Sequence, residues 1–185
     1  MQRPIRVLLL ALLVITSTPA QSWARPFLNP WGGLVFGNPQ AVKGFRSFGV
    51  SFGEMNRHFG TDTTLGYSPG FFGSAVENYV LDLDASLMAG PDMGIASRIH
   101  PYGAIGLSTI RASVRSDGLL PGTVRMDIGL NAGGGVMLDL PSEEFGLRID
   151  ARFFRSFNGA RTPNNVNADF SHFHYWRLNV GVVIR

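Results

Sequence analysis

Acids and arginines in this chain recur two residues apart. Asp82 and Asp84 form one such pair, and Arg148, Asp150 and Arg152 form a triplet. Asp127 and Asn131 share a parity on a third run, as do Arg177 and Asn179 on a fourth. In an extended strand, side chains two apart lie on the same face. These nine residues would therefore line one side of four strands. Two chemistries fit such a face: a narrow path for ions or small solutes, or a network in which the charges compensate each other.

Two other sets of residues have the types that chemistry needs. His172 and His174 lie two apart and could hold a metal, but Ser171 and Asp169 are the only nearby polar groups and supply no assured third ligand. Beside Phe170, Phe173, Tyr175 and Trp176, the same histidines suit a membrane-interface girdle. Asp169, Ser171 and His172 have the composition of a hydrolase triad, which a lipid-modifying enzyme would use. They are too close in sequence to orient one another, and the chain lacks a nucleophile elbow. The expectation is a protein with no catalytic role, no metal and no cofactor.

The elements that position the charges are strands. In 79–88, Tyr79, Leu81, Leu83, Ala85 and Leu87 alternate with Asp82, Asp84 and Ser86. In 126–139, Ile128, Leu130, Ala132, Val136 and Leu138 oppose Asp127, Asn131 and Asp139, with Gly129, Gly133 and Gly135 on the polar parity. In 145–153, Phe145, Leu147, Ile149, Ala151 and Phe153 oppose Arg148, Asp150 and Arg152. The closing run 176–185 places Trp176, Leu178, Val180, Val182 and Ile184 on one face, against Arg177 and Asn179. Further strands are expected at 31–38, 46–54, 61–67 and 100–115. In the last of these, Ile105 and Leu107 read as out of phase with Thr109 and Arg111, which predicts a bulge or a lid of apolar residues. Helical periodicity fails throughout, since no amphipathic helix puts Asp82 and Asp84 on one face.

About eight strands of this length match what a tilted membrane strand requires, roughly 9–11 residues. A charge on a lipid-facing strand near the bilayer midplane costs about 2–4 kcal/mol, so the charged face must point inward and the apolar face outward. The fold class is therefore all-β, a closed antiparallel eight-stranded transmembrane barrel. A barrel of eight strands is only wide enough for side chains to fill, which favours a plugged lumen over an ion path.

Residues 1–24 read as a signal peptide. Arg3 and Arg6 precede an apolar core at 7–15, and small residues offer cleavage after Ala24 or Ala20. Its removal leaves residues 25–185 as one barrel domain and lowers the net charge from +3 to +1 by loss of those two arginines. The remaining basic residues are dispersed among acids, which argues against a nucleic-acid partner. There are no cysteines, so an exported chain must draw its stability from topology and environment. The 23 glycines and 14 phenylalanines suit close-packed tilted strands and interfacial rings.

Connections alternate between short turns, at 55–60 and 139–144, and long polar segments, at 67–78, 115–123 and 157–173. The connection 89–98 is longer than this pattern predicts. The segments 67–73 and 158–167 read as solvated loops of the kind that carry surface contacts. Several motifs then resemble a known group: Gly66-Tyr-Ser-Pro-Gly-Phe-Phe-Gly73, Pro101-Tyr-Gly-Ala-Ile-Gly-Leu107, Gly133-Gly-Gly-Val136, Gly146-Leu-Arg-Ile-Asp-Ala-Arg-Phe-Phe-Arg155 and Tyr175-Trp-Arg177 with Val180-Gly-Val182. Together they resemble the small bacterial outer-membrane β-barrel proteins with an outer membrane protein A-like eight-stranded domain. The resemblance implies a monomeric barrel with both termini in the periplasm and four loops outside the cell. It also implies outer-membrane lipid and lipopolysaccharide as surroundings and the barrel-assembly machinery as a partner during insertion. It implies no enzymatic activity. Chains of this kind often finish on an aromatic residue, whereas this sequence has Arg185 there.

Overall fold

The computed structural model describes residues 25–37, 46–73, 77–92, 98–114, 123–142, 144–157 and 174–185. Eight strands appear in chain order: β1 (Arg25–Gly37), β2 (Arg46–Met55), β3 (Phe59–Pro69), β4 (Asn78–Ala89), β5 (Ile99–Val114), β6 (Thr123–Asp139), β7 (Phe145–Ser156) and β8 (His174–Ile184). Each pairs antiparallel with its chain neighbours, and β8 pairs back onto β1, so the sheet has no free edge.

Following paired residues around the wall gives the shear. Arg25 pairs with Met55, and the path continues through Gly60, Met88, Ala104, Gly133, Arg152 and Arg177. It returns to β1 at Val35, ten residues beyond its start. Such a stagger on eight strands requires a tilt of about 40° and leaves an interior that side chains fill.

The alternation in sequence becomes an inside and an outside. On β8, Trp176, Leu178, Val180, Val182 and Ile184 are exposed, while Tyr175, Arg177, Asn179, Gly181 and Val183 are buried. β4 and β7 repeat this, and Leu65, Ile105, Leu107, Ile128, Leu130, Leu147 and Ile149 extend the apolar exterior. Outward rings mark the rim that carries the long connections. Phe48 stacks edge-on against Tyr67, Tyr67 lies 5.6 Å from Tyr79, and Phe153 lies 5.3 Å from Trp176.

Several expectations are corrected. β1 starts at Arg25 rather than at residue 31, although Pro26 and Pro30 look like strand breakers. Pro30 is tolerated because the β1–β8 ladder skips it: pairing runs from Leu28 with Ile184 directly to Trp31 with Gly181. β3 starts at Phe59 and β8 at His174, each two residues earlier than the alternation suggested. β5 contains no bulge, and its register with both neighbours is unbroken. Ile105, Leu107, Thr109 and Arg111 are all odd-numbered and share the outer face; what changes along them is height, from the middle of the wall toward the rim. The segment 67–73 is not a solvated loop either. Tyr67 and Ser68 belong to β3, and a turn with Gly70 at φ 61° folds Phe71 inward until it is 1% exposed. Asn78 holds that turn, accepting from the Phe72 N–H at 2.8 Å and donating to the Gly73 carbonyl at 2.6 Å.

The signal-peptide reading of residues 1–24, the loop 158–167 and the set Asp169, Ser171 and His172 lie outside the described residues. Of the paired histidines, His174 opens β8, with its ring 5.8 Å from that of Phe153.

The final residue is anchored at the opposite rim. Arg185 donates to Asp139 at 2.7 Å, Asp139 also meets His100 at 3.1 Å, and the Arg185 N–H bonds the Glu144 carbonyl. Asp139 therefore belongs to this rim cluster and not to the lumen. The aromatic contribution near the end of β8 comes from its neighbour, since Phe145 pairs with Ile184.

Candidate functional site in the barrel lumen

The barrel interior is layered. Toward the long connections, Val35, Phe71, Val80, Ile110, Phe154 and Tyr175 pack together. Toward the other rim, Phe27, Met88, Tyr102, Ala104, Met137 and Val183 do the same. Between these apolar layers lie the charges.

The structure divides the charges into two groups. In the first, Arg148 forks onto Asp62, with Nη1 to Oδ1 at 3.2 Å and Nη2 to Oδ2 at 2.8 Å. Arg148 also donates to Asp150 at 3.1 Å and through Nε to the Tyr102 hydroxyl at 2.7 Å. Tyr102 in turn donates to Asp150. Arg152 bonds Asp150 through Nε at 3.0 Å, reaches Asp62 with Nη2, and gives Nη1 to Ser86 at 2.9 Å. Two arginines thus face two carboxylates, and the charges cancel. Ser86 donates onward to Asn131, whose Nδ2 donates to Ser108 at 3.0 Å.

In the second group, Arg177 from β8 crosses the lumen to Asp82 and to Asp84, the latter at 2.9 Å. Its guanidinium is sandwiched, with Cζ 4.7 Å from the Trp31 ring and 4.5 Å from the Phe154 ring. Cations over aromatic faces gain quadrupole attraction that strengthens as water is removed. The Phe154 ring itself stacks on Tyr175 at 4.7 Å.

Of the nine residues singled out in sequence, Arg148, Asp150 and Arg152 meet in the first group and Asp82, Asp84 and Arg177 in the second. Asn131 joins the first through Ser86. Asp127 is separate, paired with Arg125 at 2.8 Å. Asn179 is buried, but its Oδ1 accepts no hydrogen bond from the described residues. The sequence reading missed Asp62, the carboxylate shared by Arg148 and Arg152, and the aromatic partners Trp31, Tyr102 and Phe154. Their parity was available as a signal, since each alternates in phase with an inward polar residue of its own strand.

Glycines make room for these large interior groups. A Cβ on Gly66 would stand 2.6 Å from both Arg177 Nη1 and Asp82 Oδ2, and one on Gly135 would stand 2.6 Å from the Tyr102 hydroxyl. Gly66→Val is accordingly expected to cost about 1–3 kcal/mol by overpacking. Urea unfolding of the refolded barrel measures this, and an unchanged midpoint would contradict the close approach. No cluster of three His, Asp or Glu side chains suited to a metal occurs among the described residues.

Neither a protein-family model nor a curated protein sequence matches this chain. Solved structures do. The chain is similar to Neisserial surface protein A with a TM-score of 0.64 and 18% identity, covering 87% of this chain and 97% of that one. It is also similar to the N-terminal β-barrel domain of Pseudomonas aeruginosa OprF, with a TM-score of 0.53 and 15% identity, covering 87% and 96%. The closed antiparallel topology, the apolar exterior and these likenesses together give the chain the fold of the small eight-stranded outer-membrane β-barrels.

Proposed function

We propose that this protein is an integral barrel of the bacterial outer membrane whose lumen is closed by its own side chains, and that it contributes structure and loop-borne surface contacts. Passage of solutes and catalysis are not part of this reading. The observation that carries it is the inversion of the molecule, with isoleucines, leucines and valines exposed around the wall and arginine–aspartate pairs buried inside. Water would penalise such an exterior, whereas lipid is its natural solvent. The likeness to a Neisserial surface protein supports the surface role.

In this reading both termini and the rim cluster of Asp139, His100 and Arg185 face the periplasm, and the long connections face outward from the cell. The barrel acts as a monomer within outer-membrane lipid and lipopolysaccharide, having been inserted by the barrel-assembly machinery. The polar residues Asp82, Asp84, Asn131, Arg148, Asp150, Arg152, Arg177 and Asn179 of the lumen are structural in this reading, as is Asp127 in its separate pair with Arg125. Planar-bilayer recordings of the refolded protein are expected to show no conductance steps, and stable ion-selective steps would replace the plug with a channel. Carbonate washing should leave the protein in the membrane pellet, and its release would remove the membrane reading altogether.

A further inference from the structure

Two arginines on the barrel wall have no place in either lumen group. Arg111 on β5 and Arg155 on β7 are exposed and share the outer parity of Leu107 and Ile149 on their own strands. Both lie near the end of their strand that leads into a long connection. Neither has an ion-pair or hydrogen-bond partner among the described residues, in contrast to the interior arginines. An unpaired guanidinium on a lipid-facing wall is costly except where anionic headgroups can take it.

The surroundings form more than a charged patch. β6 runs between the two arginines, with Met126 paired to Arg111 and Leu130 paired to Arg155. The outward rings of this rim lie on β1, β2, β3, β4, β7 and β8, and neither β5 nor β6 presents one, so among the described residues no ring stands over Met126 and Ile128. Below the arginines the wall is hollowed. A mostly apolar groove of about 280 Å³ runs across β3 to β6, where Thr63, Ala85 and Gly106 are small and Leu107 and Leu130 form its upper border. Leu107 pairs with Leu130, and Leu130 pairs with Arg155, so groove and guanidinium are contiguous.

We infer that the β5–β7 wall binds a phosphate-bearing lipid of the outer leaflet. Its headgroup is held by Arg111 and Arg155, and one acyl chain lies in the groove. Guanidinium forks match phosphate oxygens in charge and geometry. The groove supplies what a free phosphate would not use, so the occupant is a lipid and not the ion alone. This site rests on the membrane reading above, and the test keeps the two separate.

The folded full-length barrel is reconstituted in phosphatidylcholine nanodiscs doped with diphosphoryl lipid A, and retained lipid is counted by native mass spectrometry. Insertion is checked first by heat-modifiable gel migration; failure at that step counts against the membrane reading and therefore against the site as well. Retention of lipid A over phosphatidylcholine is expected to fall about tenfold for each of Arg111→Gln and Arg155→Gln, the scale of a lost charge-assisted hydrogen bond. Thr63→Leu, which fills the groove, should also weaken retention, and inorganic phosphate should not displace the lipid. Arg46→Gln, on the outer face of β2, should change nothing. Equal loss with Arg46→Gln, displacement by inorganic phosphate, or unchanged retention in the double Arg111/Arg155 variant would each overturn the site.

Discussion

Arg177→Met is expected to destabilise the folded barrel by about 3–5 kcal/mol, the usual consequence of removing one member of a buried ion group. Arg177 is 1% exposed, and its partners Asp82 and Asp84 are 1% and 0% exposed. Without the guanidinium, two carboxylates on one strand are left buried from bulk solvent with no cation in contact among the described residues. Methionine keeps the length of the side chain and can still pack between Trp31 and Phe154, so the loss isolates charge rather than volume. Urea unfolding in lipid vesicles, followed by tryptophan emission, measures the difference. The triple variant Arg177→Met, Asp82→Asn, Asp84→Asn should recover most of it, because the penalty comes from uncompensated charge. If the single variant unfolds at the wild-type midpoint, the second lumen group has no role in stability.

The second large effect concerns the other side of the wall. Val180 is 54% exposed at the middle of β8, and its neighbours across the ladders are Gly32 and Ile149. Val180→Lys should cost about 2–4 kcal/mol when the barrel unfolds from a bilayer, since the charge would lie near the midplane. A soluble barrel with the same exterior would gain solubility from this change and lose almost no stability. A loss below roughly 0.5 kcal/mol, the range of ordinary surface substitutions, would argue that water and not lipid surrounds β8.

Period-two alternation was enough to give the number of strands and the direction each face points, because an apolar exterior and a charged interior hold it over ten residues or more. It was weakest where polarity follows height rather than parity. Thr61 and Thr63 face outward beside the buried Asp62, so the alternation on β3 is muted and its central carboxylate does not stand out in the sequence. Thr109 and Arg111 share a face with Ile105 and Leu107 and were mistaken for a change of phase. Trp31, Tyr102 and Phe154 were hidden for the opposite reason. They are apolar by type but inward by position, and a barrel lumen lined with guanidinium groups is a suitable place for an aromatic ring. The division of the charges into a balanced group on β3 and β7 and a second on β4 and β8 depends on the shear, which no single strand reveals.

Phe71 gives the lumen an unequal pair of barriers. It belongs to the turn after β3 and not to the wall, so withdrawing it would break no strand pairing. Baring one aromatic side chain costs about 1.5–3 kcal/mol, less than separating a buried guanidinium from its carboxylates. A transient vestibule beneath the long connections therefore costs less than any opening of the Arg177 group. Its floor would be the stacked rings of Tyr175 and Phe154.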